Sequence, residues 1–344
     1  MKQKQSHIAV FRLSAMGDVA MIVPVLRAVL SQNANLKITV VSRPFFEPFF
    51  QNIPNLAFFA FQPQHKGFLG LFRLFWQLKK KNIDSFADLH NVIRSKIVCA
   101  LFAIIGTNTA TINKNRFQKK ALTRRFNKIF QPLTTVFEQQ IKVFQKLGCT
   151  IDLTNPVFPE KATLNDDLQG FLNNNNNRLI GIAPFAQHQG KVYPHDLMQQ
   201  VIEDLSNQKT NNILLFGAGK SEVAQLNLFA QNRQNVSVVA GKLNLTQEIA
   251  LISNLDVMLS MDSANAHIAA MLGTKVVTLW GATHPFAGFL PFDQPIENTM
   301  VSNRNLYPQL PTSIYGNKVV DGYQDAMRTI NPLDVVILLN RVLG

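Results

Sequence analysis

Short apolar runs alternate with segments of helical period along the C-terminal half of the chain. The apolar runs lie between residues 178 and 281 and read RLIGIAP, NNILLFGAG, VSVVAG, DVMLSMD and KVVTLWG. Each run is separated from the next by a helical segment, as parallel strands require, because their connections must cross the sheet. This alternation predicts a doubly wound parallel α/β domain, in which ligands bind at the carboxyl ends of the strands.

The N-terminal half has the same pattern and predicts a second domain of this kind. HIAVFRLS, KITVVSR and SFADLH are strand-like, and AMIVPVLRAVLSQ and FLGLFRLFWQLKKK have helical period. A run of five asparagines, Asn173–Asn177, is the low-complexity segment expected near a domain boundary. We therefore predict domains at residues 1–165 and 178–330, followed by a terminal helix at 331–344 that Asn331 caps.

The composition fits a globular protein of two domains. The chain has 344 residues, of which 47% are hydrophobic and 16% are charged. It contains no stretch of about 18 uncharged apolar residues, and Arg12 and Asp18 interrupt the first apolar run, so neither a membrane span nor a signal peptide is predicted. Cys99 and Cys149 are too few for a disulfide framework and are expected to be reduced thiols in a cytoplasmic protein.

The net charge of +13 is concentrated in the first half of the chain. Residues 1–170 contain 23 Lys and Arg against 9 Asp and Glu, whereas the remainder contains 11 against 12. Such asymmetry indicates an anionic partner, whether nucleic acid, a phosphorylated glycolipid or a membrane surface, or else a solvated basic face. Because no helix-turn-helix, zinc or RNA-binding motif occurs, a nucleic-acid-binding module is the weaker interpretation.

The segment RLSAMGDVAMIVP places a glycine and an acid after the first predicted strand. Gly17 would allow the backbone to turn or to approach a ligand closely. Asp18 would either cap the following helix or act as a general base that takes a proton from an acceptor hydroxyl. No G-x-G-x-x-G fingerprint of a dinucleotide site is present.

Two further loops carry candidate ligands of a nucleotide. In GIAPFAQHQGKVYP, Lys191 is either an exposed loop lysine or a cation that offsets the charge of a diphosphate leaving group. The G-K-S of LLFGAGKSEVAQ is not a P-loop, because Leu214 stands where that motif needs glycine. Glu222, in the same segment, would accept hydrogen bonds from ribose hydroxyls or simply favour the helix dipole.

The segment SMDSANAHIAAMLG has small residues in the first turn of a predicted helix. Asp262 or Ser263 is a natural N-cap, and Ala264 leaves the backbone N–H groups accessible to an anion. His267 lies one turn after Ser263 on the same face of the helix. The turn therefore predicts a phosphate site, although a capped helix with a packed histidine would also account for the cap and for His267.

These motifs occur in the order found in a known enzyme family. RLSAMGDVAMIVPVLRAV, GIAPFAQHQGKVYP, GAGKSE and MDSANAHIAAMLGTKVVTLWGATHP together resemble glycosyltransferase family 9, the heptosyltransferases of lipopolysaccharide core assembly. The resemblance spans nearly the whole chain. It implies a GT-B fold of two Rossmann-like domains with an interdomain cleft, and inverting transfer of heptose from ADP-heptose to a lipid-linked acceptor without an essential metal or other cofactor.

The resemblance also implies roles for individual residues. Asp18 corresponds to the catalytic base, Lys191 to a catalytic contact of the diphosphate and sugar, and Glu222 to the ribose ligand. The other expected donor-binding residues are Gly17, Leu243 at the adenine, Asp262 at the sugar, Ser263 and Ala264 at the phosphate, and His267 nearby. The chain departs from the family at Ala264 and at Phe185, where the family usually has glycine.

The basic excess would serve an anionic glycolipid acceptor. In the run NKNRFQKKALTRRFNK, we predict that Arg116, Arg124 and Arg125 face the acceptor or the inner face of the inner membrane. This implies a cytoplasmic enzyme with peripheral membrane contact. A transferase or epimerase of the same fold that uses another nucleotide sugar, and an inactive paralogue that serves as a scaffold, are the alternatives that the sequence leaves open.

Overall fold

A computed structural model describes residues 6–172, 178–318 and 320–344. The chain forms two compact units. The first comprises the chain up to Asn115 together with Thr134–Val157, and the second comprises Arg116–Leu133 and Phe158–Gly344. The asparagine run at 173–177, near the predicted domain boundary, lies outside the described residues.

Parallel strands and helices alternate throughout the described residues. The strands are β1 (Ser6–Phe11), β2 (Leu36–Ser42), β3 (Leu56–Ala60), β4 (Ser85–Asp88), β5 (Asn108–Thr111), β6 (Arg178–Ala183), β7 (Asn211–Leu215), β8 (Val236–Val238), β9 (Val257–Met261), β10 (Lys275–Trp280) and β11 (Thr299–Val301). The helices are α1 (Met16–Ala20), α2 (Ile22–Gln32), α3 (Gly67–Lys79), α4 (Ile93–Ile104), α5 (Arg116–Thr123), α6 (Val136–Lys146), α7 (Asp166–Gln169), α8 (His195–Ser206), α9 (Gly219–Ala230), α10 (Leu245–Asn254), α11 (Ala264–Met271) and α12 (Pro332–Leu343).

The first unit is built on a parallel sheet of strand order β3-β2-β1-β4-β5. The chain leaves β1 toward β2 on one side and returns to β4 on the other, so the order reverses between β1 and β4. Buried side chains of α3 and α4 pack on one face of the sheet, with Phe75, Phe86 and Phe102 at the centre of the core. In a sheet of this type, ligands bind at the carboxyl ends of the strands beside the reversal point.

The second unit contains a parallel sheet of order β11-β10-β9-β6-β7-β8. Here the reversal lies between β6 and β9, which pair in register from Ile180 opposite Val257 to Ala183 opposite Ser260. The strands β6, β7, β9 and β10 are almost wholly buried because helices cover both faces. The predicted class, two doubly wound α/β domains, is confirmed.

The units differ from the predicted domains in the placement of one segment and in where the second unit begins. Residues Arg116–Leu133 belong to the second unit, although we placed them in an N-terminal domain at 1–165. Lys128 holds this segment there, because its ammonium donates to the carbonyls of Gln309 and Pro311 at 2.8 and 2.7 Å. Lys119 contributes as well, since its Nζ lies 4.2 Å from the centre of the Phe289 ring. The second unit also begins earlier than predicted, at Phe158.

Two helix starts also bear on the site. Asn244 is the N-cap of α10, and its side chain accepts a hydrogen bond from the Gln247 amide. Ser263, one of the two positions that the sequence offered, occupies the N-cap position of α11, but its side chain makes no capping hydrogen bond. Across the described ranges, no helix has the length and apolar character needed to cross a bilayer.

Candidate active site

Lys191 lies in the loop that follows β6, at the reversal point of the second sheet. A single turn of 3-10 helix, Gln189–Lys191, brings it there. Its ammonium lies 3.3 Å from Oδ2 of Asp262, which follows β9 on the neighbouring strand. The Lys191 side chain is 14% exposed and that of Asp262 is 9% exposed. The two residues that the sequence placed in separate motifs therefore form a largely desolvated ion pair.

Two glycines shape the Lys191 loop. Gly281, just after β10, lies against the Gly190 carbonyl, and a methyl group at position 281 would overlap that oxygen. The next residue, Ala282, donates its N–H to the same carbonyl at 2.7 Å. Gly316 has φ +80° and lies against the Lys191 side chain so closely that a methyl group would overlap its Cγ. The lysine stem is thus confined by backbone on one side.

The first turn of α11 presents backbone N–H groups beside this ion pair. The hydroxyl of Ser263 does not cap the helix but lies 3.0 Å from that of Ser260. Ser263 and Ala264 are only partly buried, whereas His267 in the next turn is buried. Because small side chains leave the N–H groups accessible and the helix dipole favours an anion there, this turn can bind phosphate.

Glu222 and Leu243 follow the ends of the next two strands. Glu222 accepts a hydrogen bond from the Ala218 amide at 2.8 Å, so its carboxylate also caps its own helix, α9. Leu243 is half-buried just before the start of α10. Phe185 packs against Gly217. A methyl group added at position 217 would lie 3.2 Å from the Phe185 ring. The aromatic ring at position 185 therefore occupies the space that Gly217 leaves.

Asp18 follows β1, at the reversal point of the first sheet. Its Oδ2 lies 2.5 Å from Arg12 and accepts a hydrogen bond from the Ala15 amide at 3.1 Å. Arg12 is held in turn by a 2.6 Å hydrogen bond to the Leu89 carbonyl, after β4. Both described contacts of Asp18 use the same oxygen, so Oδ1 of this partly exposed carboxylate can accept a proton from a ligand. Gly17 lies beside it in the first turn of α1.

His90 lies on the other side of the reversal point. Its Nε2 is 3.3 Å from the Ser14 hydroxyl, and its ring stacks on Phe11 at 6.3 Å. Burial, with a further contribution from Arg12, lowers the pKa of His90 to about 4, so the ring is neutral near pH 7. Asp88 fixes the loop by accepting hydrogen bonds from the amides of His90 and Asn91 at 2.9 and 2.7 Å.

The structure thus presents one set of polar groups at the reversal point of each sheet. The sequence profile of glycosyltransferase family 9 (heptosyltransferase) matches residues 71–318. The chain belongs to glycosyltransferase family 9. It is therefore a glycosyltransferase, and its two doubly wound units are those of the GT-B fold.

Individual relatives agree with this assignment. The chain is 22% identical to lipopolysaccharide heptosyltransferase 1 of Campylobacter coli, over 98% of this chain and 99% of that protein. A family 9 glycosyltransferase from Veillonella parvula has a similar fold, with a TM-score of 0.75 and 17% identity over 100% of this chain and 98% of its own. A heptosyltransferase of E. coli, solved with ADP, superposes with a TM-score of 0.65 and 16% identity over 97% of both chains.

The predicted donor residues of the second unit lie after strands, or in the first turns of the helices that follow them, at the carboxyl edge of one sheet. They are Lys191, Glu222, Leu243, Asp262, Ser263, Ala264 and His267. Arg116, Arg124 and Arg125, the predicted acceptor residues, are exposed and belong to the second unit. Among the described residues, no group of three or more His, Cys, Asp or Glu side chains is arranged to hold a metal ion.

Our reading of the sequence missed the residues that support the site. Arg12 lies directly after β1 and six residues before Asp18, and this position is the signal in the sequence that could have indicated its role. Gly281 ended a predicted strand, where a glycine indicates close backbone approach. Gly316 lies far along the chain from Lys191, and nothing local to it indicated this contact.

Proposed function

We propose that this protein transfers heptose from ADP-heptose to a hydroxyl group of a lipid-linked lipopolysaccharide core acceptor, with inversion at the anomeric carbon. The observation that carries the proposal is the Lys191–Asp262 ion pair beside the first turn of α11. It combines a cation, free backbone donors and a carboxylate at the point where doubly wound sheets bind nucleotides. Membership of family 9 and the ADP complex of the E. coli relative support this choice of donor.

The second unit would hold the donor. The diphosphate binds the N–H groups of Ser263 and Ala264, and Lys191 offsets the charge that grows on it as the bond to the sugar breaks. Asp262 uses Oδ2 for Lys191, which leaves Oδ1 for a hydroxyl of the sugar. The ribose would lie at Glu222 and the adenine near Leu243, with His267 nearby in the next turn of α11.

Asp18 would act as the base in a single displacement. Its Oδ1 takes the proton of the acceptor hydroxyl while that oxygen forms a bond to the anomeric carbon. The bond from this carbon to the diphosphate breaks in the same step, and ADP leaves with the electron pair. Arg12 and the Ala15 amide hold Oδ2, and therefore fix the direction in which Oδ1 points. Because Lys191 and α11 supply the positive charge, the proposal requires no metal ion.

The acceptor would be an anionic glycolipid at the inner face of the inner membrane. Arg116, Arg124 and Arg125 are exposed. They lie in a basic stretch of the chain, Leu89 to Phe137, that contains no acidic residue. Guanidinium groups bind carboxylates and phosphates in bidentate geometry, which suits inner-core sugars. We accordingly place the enzyme in the cytoplasm, in peripheral contact with that membrane.

Kinetics of Asp18→Asn test the reaction, and a panel of nucleotides tests the donor. A positioned base contributes about 10²–10⁴ to the rate, so kcat of the variant should fall by that factor while the Kd of ADP stays unchanged. Calorimetry with ADP, UDP, GDP and CDP should show selective binding of ADP. A variant within about tenfold of the wild-type rate would refute the role of Asp18, and selective binding of UDP would refute the donor.

A further inference from the structure

Large apolar side chains are exposed at one edge of the first unit. Phe45 follows β2 and is 61% exposed, and Phe68 and Leu69, in the first turn of α3, are 63% and 83% exposed. Ile93, the first residue of α4, is 80% exposed. Soluble proteins expose single apolar residues often, but a group of this size at one edge indicates an interaction surface.

The topology places these four side chains at the same edge. The strands β2, β3 and β4 are parallel, so the segments that follow them all start at the carboxyl edge of the sheet. Helices α3 and α4 lie side by side and run in the same direction, with Phe75 and Phe102 in contact at 5.0 Å. Their first turns are therefore neighbours. Asp18 follows β1 at this same edge.

The charge around these side chains is positive. Arg43, Lys66, Arg94 and Lys96 are exposed at or near the same strand ends. Residues 62–104 contain seven Lys and Arg and only two acidic residues, of which Asp88 is fully buried. Arg94 also lies over the ring of Phe61, 5.5 Å from its centre, which keeps the guanidinium beside the carboxyl end of β3.

We propose that this edge, formed by Phe45, Phe68, Leu69 and Ile93 with Arg43, Lys66 and Arg94, rests on a lipid bilayer that carries anionic headgroups. Apolar side chains would enter the boundary between headgroups and acyl chains, while the cations bind lipid phosphates; stable peripheral binding needs both contributions. The proposal rests on the proposed function, because a lipid-linked acceptor requires the base Asp18 to work close to the membrane.

Charge complementarity favours a membrane over a second copy of the chain. In a symmetric dimer, the same surface patch of each copy meets its counterpart. Arg43, Lys66 and Arg94 would then face the same cations, which repel one another where water is excluded. An anionic bilayer instead neutralises them. The basic segment with Arg116, Arg124 and Arg125 belongs to the second unit, so substitutions in the two sets of residues can be tested independently.

The test is co-sedimentation of the full chain with lipid vesicles. The wild-type protein should bind vesicles of phosphatidylcholine mixed with phosphatidylglycerol, and should bind pure phosphatidylcholine more weakly. Phe68→Ser combined with Leu69→Ser should reduce binding to the mixed vesicles about tenfold or more, because two inserted side chains are lost. Lys66→Gln with Arg43→Gln should reduce the difference between the two kinds of vesicle. Leu228→Ser with Ile337→Ser, exposed apolar positions of the second unit, are the matched control.

Transfer activity separates this surface from the proposed reaction. On a water-soluble, deacylated acceptor, Phe68→Ser/Leu69→Ser should retain the wild-type rate; on acceptor in vesicles, its rate should fall with its binding. The surface is refuted if the wild type does not bind mixed vesicles, or if this variant and the control bind equally. A different outcome would refute the proposed function but not the membrane surface. In that outcome, Phe68→Ser/Leu69→Ser loses vesicle binding as expected, but the wild type transfers heptose to no acceptor.

Discussion

Lys191 and Asp262 form an ion pair, with Nζ 3.3 Å from Oδ2, that joins the loop after β6 to the start of α11. Each residue comes from a different strand end, and the pair is nearly removed from solvent. Removal of one partner from such a pair leaves an uncompensated charge, which costs more than the pair itself contributes. The pair therefore holds the lysine in place and also tunes the charge that a diphosphate would meet.

The variant Lys191→Ala should bind ADP about 10–100-fold more weakly than the wild type, since a hydrogen bond to a charged group contributes about 1.5–3 kcal/mol. Part of the loss comes from Asp262, whose carboxylate then repels the diphosphate. Asp262→Asn in the Lys191→Ala background should for this reason restore part of the affinity. Isothermal calorimetry of the double-mutant cycle measures this coupling, and Lys161→Ala, at an exposed lysine, is the control. Strictly additive losses would show that the two residues act independently.

Gly316→Ala should weaken ADP binding, whereas Gly322→Ala should not. Both glycines have left-handed backbone, with φ of +80° and +79°, so each substitution costs about 1–2 kcal/mol of stability. Only at position 316 does the new methyl group meet the side chain of Lys191; around position 322 it meets no described atom within 4 Å. Thermal denaturation should show similar losses, and calorimetry with ADP should separate the variants. Equal affinities would mean that the Lys191 loop tolerates displacement.

The positions of the candidate donor residues could be predicted because these residues follow strands of a doubly wound sheet. The hydrophobic alternation fixed the positions of β6, β9 and α11, and the resemblance to family 9 assigned Lys191 and Asp262 to one ligand. The ion pair itself could not be predicted, because it depends on β6 and β9 being neighbours. Neighbouring strands in space need not be consecutive in sequence, and here β7 and β8 intervene.

The assignment of the basic segment to the N-terminal domain was wrong for a related reason. Positive charge indicates a partner but does not show which sheet a helix packs against. The segment belongs to the second unit because Lys128 donates to carbonyls near residue 310, and because Lys119 lies over Phe289. In the sequence, both lysines belong to a run of basic residues that is typical of a solvated surface. The run therefore does not indicate that they contact the second unit.

Glu248 should make stability depend on pH. Burial in the first turns of α10 raises its pKa from 4.5 to about 7. The unfolded chain therefore loses this proton at lower pH than the folded protein, and the folded state is penalised as pH rises from about 4.5 to 7. Glu248→Gln removes the penalty. Relative to the wild type, the variant should gain about 1–3 kcal/mol between pH 5 and pH 8.

Urea denaturation of both proteins across this pH range measures the Glu248 difference directly. Glu203→Gln, on the exposed side of α8, is the control, because its side chain is 56% exposed. A difference between wild type and Glu248→Gln that stays constant with pH would show that the carboxyl group has the same pKa folded and unfolded.

Arg12 should position Asp18, so Arg12→Gln should lower kcat at least about tenfold without changing the Kd of ADP. The guanidinium binds Oδ2 of Asp18 at 2.5 Å and the Leu89 carbonyl at 2.6 Å, and thus ties the carboxylate to the end of β4. Lysine has one ammonium and cannot span both acceptors in the same way, so Arg12→Lys should recover only part of the rate. Because Arg12 is buried, melting temperatures must accompany the kinetics. A folded Arg12→Gln variant with wild-type kcat would show that Asp18 needs no orientation by this pair.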